Sequence, residues 1–412
     1  MGSFKRLTRE TMSEGMFEAL ISEILSLVKE HEEWRGKACL NLIPSENVMS
    51  PPVRGLLSSE LGHRYTARDR FYMGTRFLDR IEEYGEELAK EVFGAETADL
   101  RPLSGHIADL IFLACFTRPG DALACVSPFD GGYPGMWNEG LAGLLGLSTV
   151  PLPFSRETMN INVEEAKESI RRFRPKIVIF GASLITFPHP VRELAETARE
   201  VGAHVGYDGS HVLGLIAGKQ FQDPLREGAQ VMVGSTHKSF FGPQGGIILA
   251  DREHGEAMRA KIYPRFVDNA HWNRIAALTL ALAEMKSFGR AYAEQVIRNS
   301  RALAKALYDY GFPVKCPNLG FTQSHQVILD YGGAEQGRKI AERLQEANII
   351  VDCAIRIGTC EVTRHGMREA EMLKIAELIK RAAMDMENPE TIRREVAKLC
   401  SEFSSVKYCF EN

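Results

Sequence analysis

Val231-Met232-Val233-Gly234-Ser235-Thr236-His237-Lys238-Ser239-Phe240-Phe241-Gly242-Pro243-Gln244-Gly245-Gly246-Ile247-Ile248 is the stretch on which the fold turns. An apolar run suited to a buried strand enters a short polar turn with a single lysine, bends through glycines and resumes as a second apolar run. In a sheet of parallel strands that lysine stands at the carboxyl edge, where ligands of such sheets bind. Taken alone it reads first as a solvated loop lysine. Upstream, His204-Val205-Gly206-Tyr207 has the same strand character and ends in Asp208, followed by Gly209-Ser210-His211. An acid at a strand tip usually caps a turn or helix. An acid and a lysine on neighbouring strand ends, however, have the two roles that pyridoxal phosphate requires. The amine forms the Schiff base, and the carboxylate keeps the pyridine nitrogen protonated.

Working outward, residues 122–126, 177–180, 204–207, 231–233 and 247–250 read as buried strands, and 163–173 and 190–201 as helices, the second opened by Pro190. Strands alternating with helices predict an α/β domain with a mostly parallel sheet covered on both faces. Leu103-Ser104-Gly105-His106 opens an apolar helix over 107–116. A serine and free backbone N–H groups at a helix start can cradle a phosphate, although Ser-Gly before a helix is more often only a cap. A long helix over 274–307 leads to strands at 312–314, 327–330, 349–351 and 355–357 and helices at 336–347 and 369–384, a smaller α+β unit. The expected division is an N-terminal arm over 1–40, a large cofactor-binding domain over 41–275 and a small C-terminal domain over 276–412.

The 412 residues carry 50 Lys+Arg against 54 Asp+Glu, a net charge of −4, which argues against a surface that coats nucleic acid. With 44% apolar and 25% charged residues the chain has ordinary globular composition. It has no apolar run of the roughly 18 residues needed for a membrane span, so a cytoplasmic protein is expected. Its eight cysteines include no CxxC pair, which predicts reduced thiols. His63, His189, His271 and His365 form no ligand-spaced cluster, so no metal site is expected. Phe17, Leu20, Ile21, Ile24, Leu27 and Val28 form one apolar stripe on a helix over 17–31, which needs a docking surface on its own chain or on a second subunit.

Taken together these motifs resemble the serine (glycine) hydroxymethyltransferase family, pyridoxal-phosphate enzymes of the aspartate aminotransferase fold, fold type I. The resemblance spans nearly the whole chain. It rests on Ser45-Glu46-Asn47, Tyr65, Phe71-Tyr72-Met73-Gly74, Phe93-Gly94-Ala95, Ser104-Gly105, Asp208 with His211, Thr236-His237-Lys238, Gly242-Pro243-Gln244-Gly245-Gly246 and Ile355-Arg356-Ile357-Gly358-Thr359. The wording at Ser324-His325-Gln326-Val327 and Glu361-Val362-Thr363-Arg364 is most similar to archaeal members. The resemblance implies that Lys238 forms the Schiff base, Asp208 meets the ring nitrogen, and His211 and Ser183 lie at the phenolic oxygen. Ser104, Gly105, His106, Ser235 and His237 line the phosphate or ring, and Tyr133 stacks on the ring in place of the family's histidine. Arg356 clamps the amino-acid carboxylate with help from Ser45. Tyr65, counted among the catalytic groups, and Tyr72 match tyrosines that reach the site from a neighbouring subunit, which implies a homodimer with shared active sites.

The chain departs from the family where a pterin is handled. The glutamate that follows the family's tyrosine is replaced near Ala67, with Asp69 the nearest acid, and Asp352-Cys353-Ala354 runs directly into Ile355-Arg356 where members carry a pteridine-holding loop. The glycine-rich turn after Tyr263-Pro264 is also altered, reading Arg265-Phe266-Val267-Asp268-Asn269-Ala270-His271-Trp272. The expected activity is cleavage or formation of the Cα–Cβ bond of a β-hydroxy-α-amino acid such as serine, giving glycine, with a tetrahydropterin of folate or methanopterin type left open. A pterin-independent threonine aldolase or transaldolase, and a non-catalytic paralogue that keeps the dimer, are the alternatives.

Overall fold

The structure is a computed structural model that describes residues 14–66 and 71–410. Its centre is a seven-stranded sheet of β1 (Thr97–Asp99), β2 (Ala122–Cys125), β3 (Ser148–Pro151), β4 (Ile177–Phe180), β5 (His204–Asp208), β6 (Val231–Ser235) and β7 (Gly246–Ala250), in the spatial order β1-β7-β6-β5-β4-β2-β3. Only β7 runs antiparallel to its neighbours; the other pairings are parallel. Every residue of β4, β6 and β7 is buried, as a sheet covered on both faces requires. The sequence reading overlooked β1 and β3. Each is a short edge strand, and β3 keeps only Val150 buried and ends in Pro151, a residue that edge strands tolerate.

The principal helices are α1 (Glu14–Glu33), α2 (Arg76–Phe93), α3 (Gly105–Phe116), α4 (Val163–Phe173), α5 (Val191–Glu200), α6 (Trp272–Asp309), α7 (Ala334–Glu346), α8 (Cys360–Arg364), α9 (Glu369–Ala383) and α10 (Pro389–Glu402). In the C-terminal part, β8 (Gln326–Ile328) pairs antiparallel with β9 (Arg356–Gly358), and Ile349–Ile350 pairs in parallel with Leu40–Asn41. The strand expected at 312–314 is not one: only Val314 is bridged, to Leu329. Pro313 has no N–H to give to a ladder, and Phe312 donates its N–H to Leu307 to close the end of α6.

Two apolar clusters are packed on this frame. The first surrounds the sheet and includes Phe112, Val178, Val205, Val233 and Ile248, together with α6 as far as Ile297. The second takes Leu303 and Leu307 of α6, Val327, Leu344, Ile357, Ile375 and Val396, and also Leu40 and Leu42. Helix α6, 38 residues long, therefore serves both. In contrast, Phe17, Leu20, Ile21, Ile24, Leu27 and Val28 of α1 are all exposed. All eight cysteines are free thiols. Among the described residues no helix is long and apolar enough to cross a membrane, and no group of three potential ligands is placed to hold a metal.

The clusters are joined by a buried ion pair. Arg364 of α8 places Nη2 2.9 Å from the Glu284 carboxylate of α6, and neither side chain has solvent access. Its guanidinium lies 3.7 Å over the Phe241 ring, and Nη1 donates to the carbonyls of Lys407 and Tyr408. Removing one partner strands the other charge, whereas replacing both with apolar side chains does not. Arg364→Ala should therefore lower the unfolding free energy by about 3–5 kcal/mol, and Arg364→Met with Glu284→Leu by much less, as read from urea denaturation midpoints.

Candidate active site

Asp208 lies opposite Val233 in the β5–β6 register, so β6 and the turn after it carry Ser235 and Lys238 past the acid at the carboxyl edge of the sheet. Lys238, Asp208, Ser235, His211, Ser183, Tyr133 and His106 line one cleft. The turn that holds the lysine is fastened from both ends. Thr236 Oγ1 donates to the Pro243 carbonyl at 2.7 Å, and Asn47 Nδ2 donates to the Lys238 carbonyl at 2.8 Å and lies 2.9 Å from the Tyr292 hydroxyl. Burial lowers the Lys238 pKa, against the pull of Asp208 and Asp109, and so favours the free, nucleophilic amine.

Ser104 caps α3 by accepting the Ile107 N–H at 3.1 Å, which leaves the N–H groups of Gly105 and His106 at the open end of the helix. Beside them Ser210 Oγ accepts the Ser235 N–H at 3.0 Å and lies 3.2 Å from Ser235 Oγ. A Cβ on Gly105 would sit 2.4 Å from Ser235 Oγ, so only glycine keeps this hollow open. His237 has a buried Nδ1 without a hydrogen-bond partner among the described residues, and burial followed by the nearby Lys238 pulls its pKa to about 4. A phosphate against the helix start fits this donor set.

On the opposite wall the Gln326 Nε2 amide donates to the Ser183 carbonyl at 3.0 Å and to His211 Nδ1 at 3.1 Å. His211 stacks on His325 with ring centroids 5.9 Å apart, and burial, then Lys238, hold its pKa well below the usual histidine range. His211 is thus a neutral imidazole with its proton on Nε2, suited to donate to an oxygen in the cleft. Arg356 on β9 donates from Nη1 to the Ser183 carbonyl at 3.0 Å and from Nε to Asp352 at 2.7 Å. The Tyr133 hydroxyl is 3.1 Å from His106 Nδ1, and the two rings meet edge to face.

Not every expected residue meets in this cleft. Ser45 lines an adjoining cavity of about 650 Å³ together with Asn47, His237 and Gln244. Tyr65 and Tyr72 are exposed and pack on each other, ring centroids 5.6 Å apart, away from Lys238. Ala67 and Asp69 lie outside the described residues. The sequence reading missed Asp109, Gln326 and Asp352. Asp109 carried a signal, being the one charged residue in the apolar run Gly105–Phe116. It is fully buried in the cleft with Lys238 and Asp208, and its Oδ1 has no hydrogen-bond partner among the described residues. Burial, then the charge of Asp208, raises its pKa well above the carboxylate range and disfavours its charged form.

A mostly parallel sheet with a lysine and an acid at its carboxyl edge, an anion cradle at a helix start and an arginine across the cleft defines the fold-type I class of pyridoxal-phosphate enzymes. The serine hydroxymethyltransferase family model matches residues 18–379, and the chain belongs to that family. It is 44% identical over 406 residues to serine hydroxymethyltransferase of Methanocaldococcus jannaschii, covering 93% of this chain and 94% of that one. With the Methanocella arvoryzae enzyme of the same name it is 45% identical over 390 residues, 90% and 92% of the two chains. Among solved structures, L-threonine transaldolase from Pseudomonas fluorescens in its internal aldimine state superposes with a TM-score of 0.89 at 26% identity, covering 97% of this chain and 96% of that one.

The raised pKa of Asp109 has a signed consequence for stability. The unfolded carboxyl ionises near its ordinary value of 3.8 while burial raises the folded pKa above it, so folding loses free energy as pH rises above about 4. Asp109→Asn apoenzyme should lose less of its urea midpoint than the parent between about pH 4 and pH 8.

Proposed function

We propose that the protein catalyses the reversible cleavage of serine to glycine and a one-carbon unit at the formaldehyde level, by breaking the Cα–Cβ bond on pyridoxal phosphate. The observation that carries this reading is the placement of Lys238 and Asp208 in one cleft, with Arg356 hydrogen-bonded to the carbonyl of its lining residue Ser183, in a chain of this family. When bound, pyridoxal phosphate supplies an electron sink for the carbanion left as the bond breaks. Lys238 would provide the amine that holds the cofactor. Asp208 would hold the proton on the ring nitrogen, and Ser104, Gly105, His106, Ser235 and His237 would hold the phosphate. His211 and Ser183 would serve the phenolic oxygen, and Tyr133 would cover the ring. Arg356 fixes the substrate carboxylate through its planar fork, with Ser45 beside it.

A tetrahydropterin, of folate or methanopterin type, is the proposed one-carbon acceptor, with a dependence weakened by the direct run from Asp352 into Arg356. Purified holoenzyme incubated with serine, threonine and allo-threonine, each with and without tetrahydropterin, should release formaldehyde equivalents and glycine from serine. Acetaldehyde from threonine as the dominant product would instead favour the transaldolase or aldolase reading, and stimulation of serine cleavage by orders of magnitude on adding pterin would overturn the weakened dependence.

The proposed organisation is an arm over 1–40, a cofactor domain over 41–275 and a small domain over 276–412, with α6 crossing between the last two, in a cytoplasmic homodimer. The exposed stripe on α1, the half-buried apolar groove of Leu56, Leu61, Ile81, Leu88 and Leu280, and the position of Tyr65 and Tyr72 outside the cleft of their own protomer all support a second copy. Ile24→Asp should shift the sedimentation coefficient toward that of a monomer if α1 contributes to the dimer; an unchanged value would remove α1 from the interface.

A further inference from the structure

Arg356 is the residue on which substrate recognition depends, and its neighbour in the sequence, Asp352, takes hold of it. The Asp352 carboxylate spans the turn: Oδ2 accepts the Arg356 Nε–H at 2.7 Å, and Oδ1 accepts the Arg356 backbone N–H at 3.0 Å. The Asp352 carbonyl also accepts the Ile355 N–H at 3.0 Å. To close so tightly the chain puts Ile355 at φ +51°, a left-handed conformation that β-branched residues rarely adopt, although its side chain is fully buried. Helix α7 abuts the same turn at Gly337, where a Cβ would meet the Cys353 carbonyl at 2.3 Å. The turn is thus held by packing on one side and strained on the other, and its product is a fixed guanidinium.

A guanidinium has five N–H donors in one plane. Nε is taken by Asp352, and Nη1 gives one hydrogen to the Ser183 carbonyl. Nη2 has no hydrogen-bond partner among the described residues. The side-on edge of the fork is therefore closed and the end-on edge, Nη1 with Nη2, remains for a carboxylate. Both side chains are largely buried, with 18% of Arg356 and 21% of Asp352 exposed, so the pair is only partly screened by water.

We propose that Asp352 is a positioning residue that fixes Arg356 for end-on capture of the amino-acid carboxylate. The inference rests on the functional reading above, in which Arg356 meets that carboxylate. It specifies in addition which edge of the guanidinium is used and which side chain dictates it.

The test uses holoenzyme with Asp352→Ala and Asp352→Asn. Each protein is titrated with glycine and with methylamine, an amine without a carboxylate, and binding is read from the visible absorption of the cofactor. Asp352→Ala should weaken glycine binding by about tenfold or more, while methylamine binding and retention of the cofactor stay within about twofold of the parent. Asp352→Asn, with one acceptor left for the arginine, should fall between parent and alanine variant. Glycine binding that is unchanged or tighter in either variant would mean that Asp352 merely competes with the substrate for Arg356, and overturns the inference. Equal weakening for glycine and methylamine places the effect in the cofactor pocket and also overturns it. If the parent itself does not respond to glycine, the functional reading falls and takes the inference with it; if the parent responds and both variants match it, the inference alone falls.

Discussion

A guanidinium sealed from water constrains the rest of the molecule. Arg364 can be buried only if its donors and its charge are met inside the protein. The partners come from widely separated segments: Glu284 from α6, Lys407 and Tyr408 from the C-terminal stretch, Phe241 from the turn after Lys238, and Val48 through its carbonyl at 3.4 Å from Nε. Val48 follows Asn47, which itself holds the Lys238 carbonyl. Lys238 is thus positioned by a hydrogen-bonded set that begins at a residue more than a hundred positions downstream. Loss of that set would free the loop as well as destabilise the fold.

The cleft faces an electrostatic problem of its own. It gathers two carboxyls and a lysine, and burial works against every charged form. Burial, then the charge of Asp208, raises the Asp109 pKa well above the carboxylate range, and Asp208 Oδ1 accepts the Ser210 N–H at 2.9 Å. His211, His237 and His325 are all pushed toward the uncharged form by burial. The histidines can therefore serve as donors and stacking partners without adding positive charge that would compete with Lys238 and Arg356 for an incoming anion.

Much of this was legible in the sequence, for physical reasons. Strands β4, β5, β6 and β7 are buried on both faces and so appear as continuous apolar runs, and α4 and α5 have strong amphipathic faces. The edge strands β1 and β3 were not legible, because an edge needs neither length nor apolarity. At the site, Lys238 and Asp208 stand out because each is a charge at the end of an apolar strand, whereas Arg356 is picked out only by the family resemblance. Gln326 does not stand out, since its value lies in joining Ser183 to His211 across more than a hundred residues of chain. Asp352 reads as a loop acid until the turn is folded and its carboxylate is seen on Arg356.

Helix α6 carries a final implication. Its 38 residues extend for about 57 Å, and they enter the sheet-centred cluster at one end and the C-terminal cluster at the other. Two bodies joined by a flexible thread can swing apart at little cost; two bodies mounted on one rod cannot. Any rocking of the arginine wall against the lysine wall must twist or bend a continuous hydrogen-bonded helix, whose stiffness resists displacement in both directions. The gap between the two walls of the cleft is accordingly gauged by a spacer to which neither Lys238 nor Arg356 belongs. Helix defects placed along it, far from any reacting atom, would alter the width of the site before they altered its chemistry.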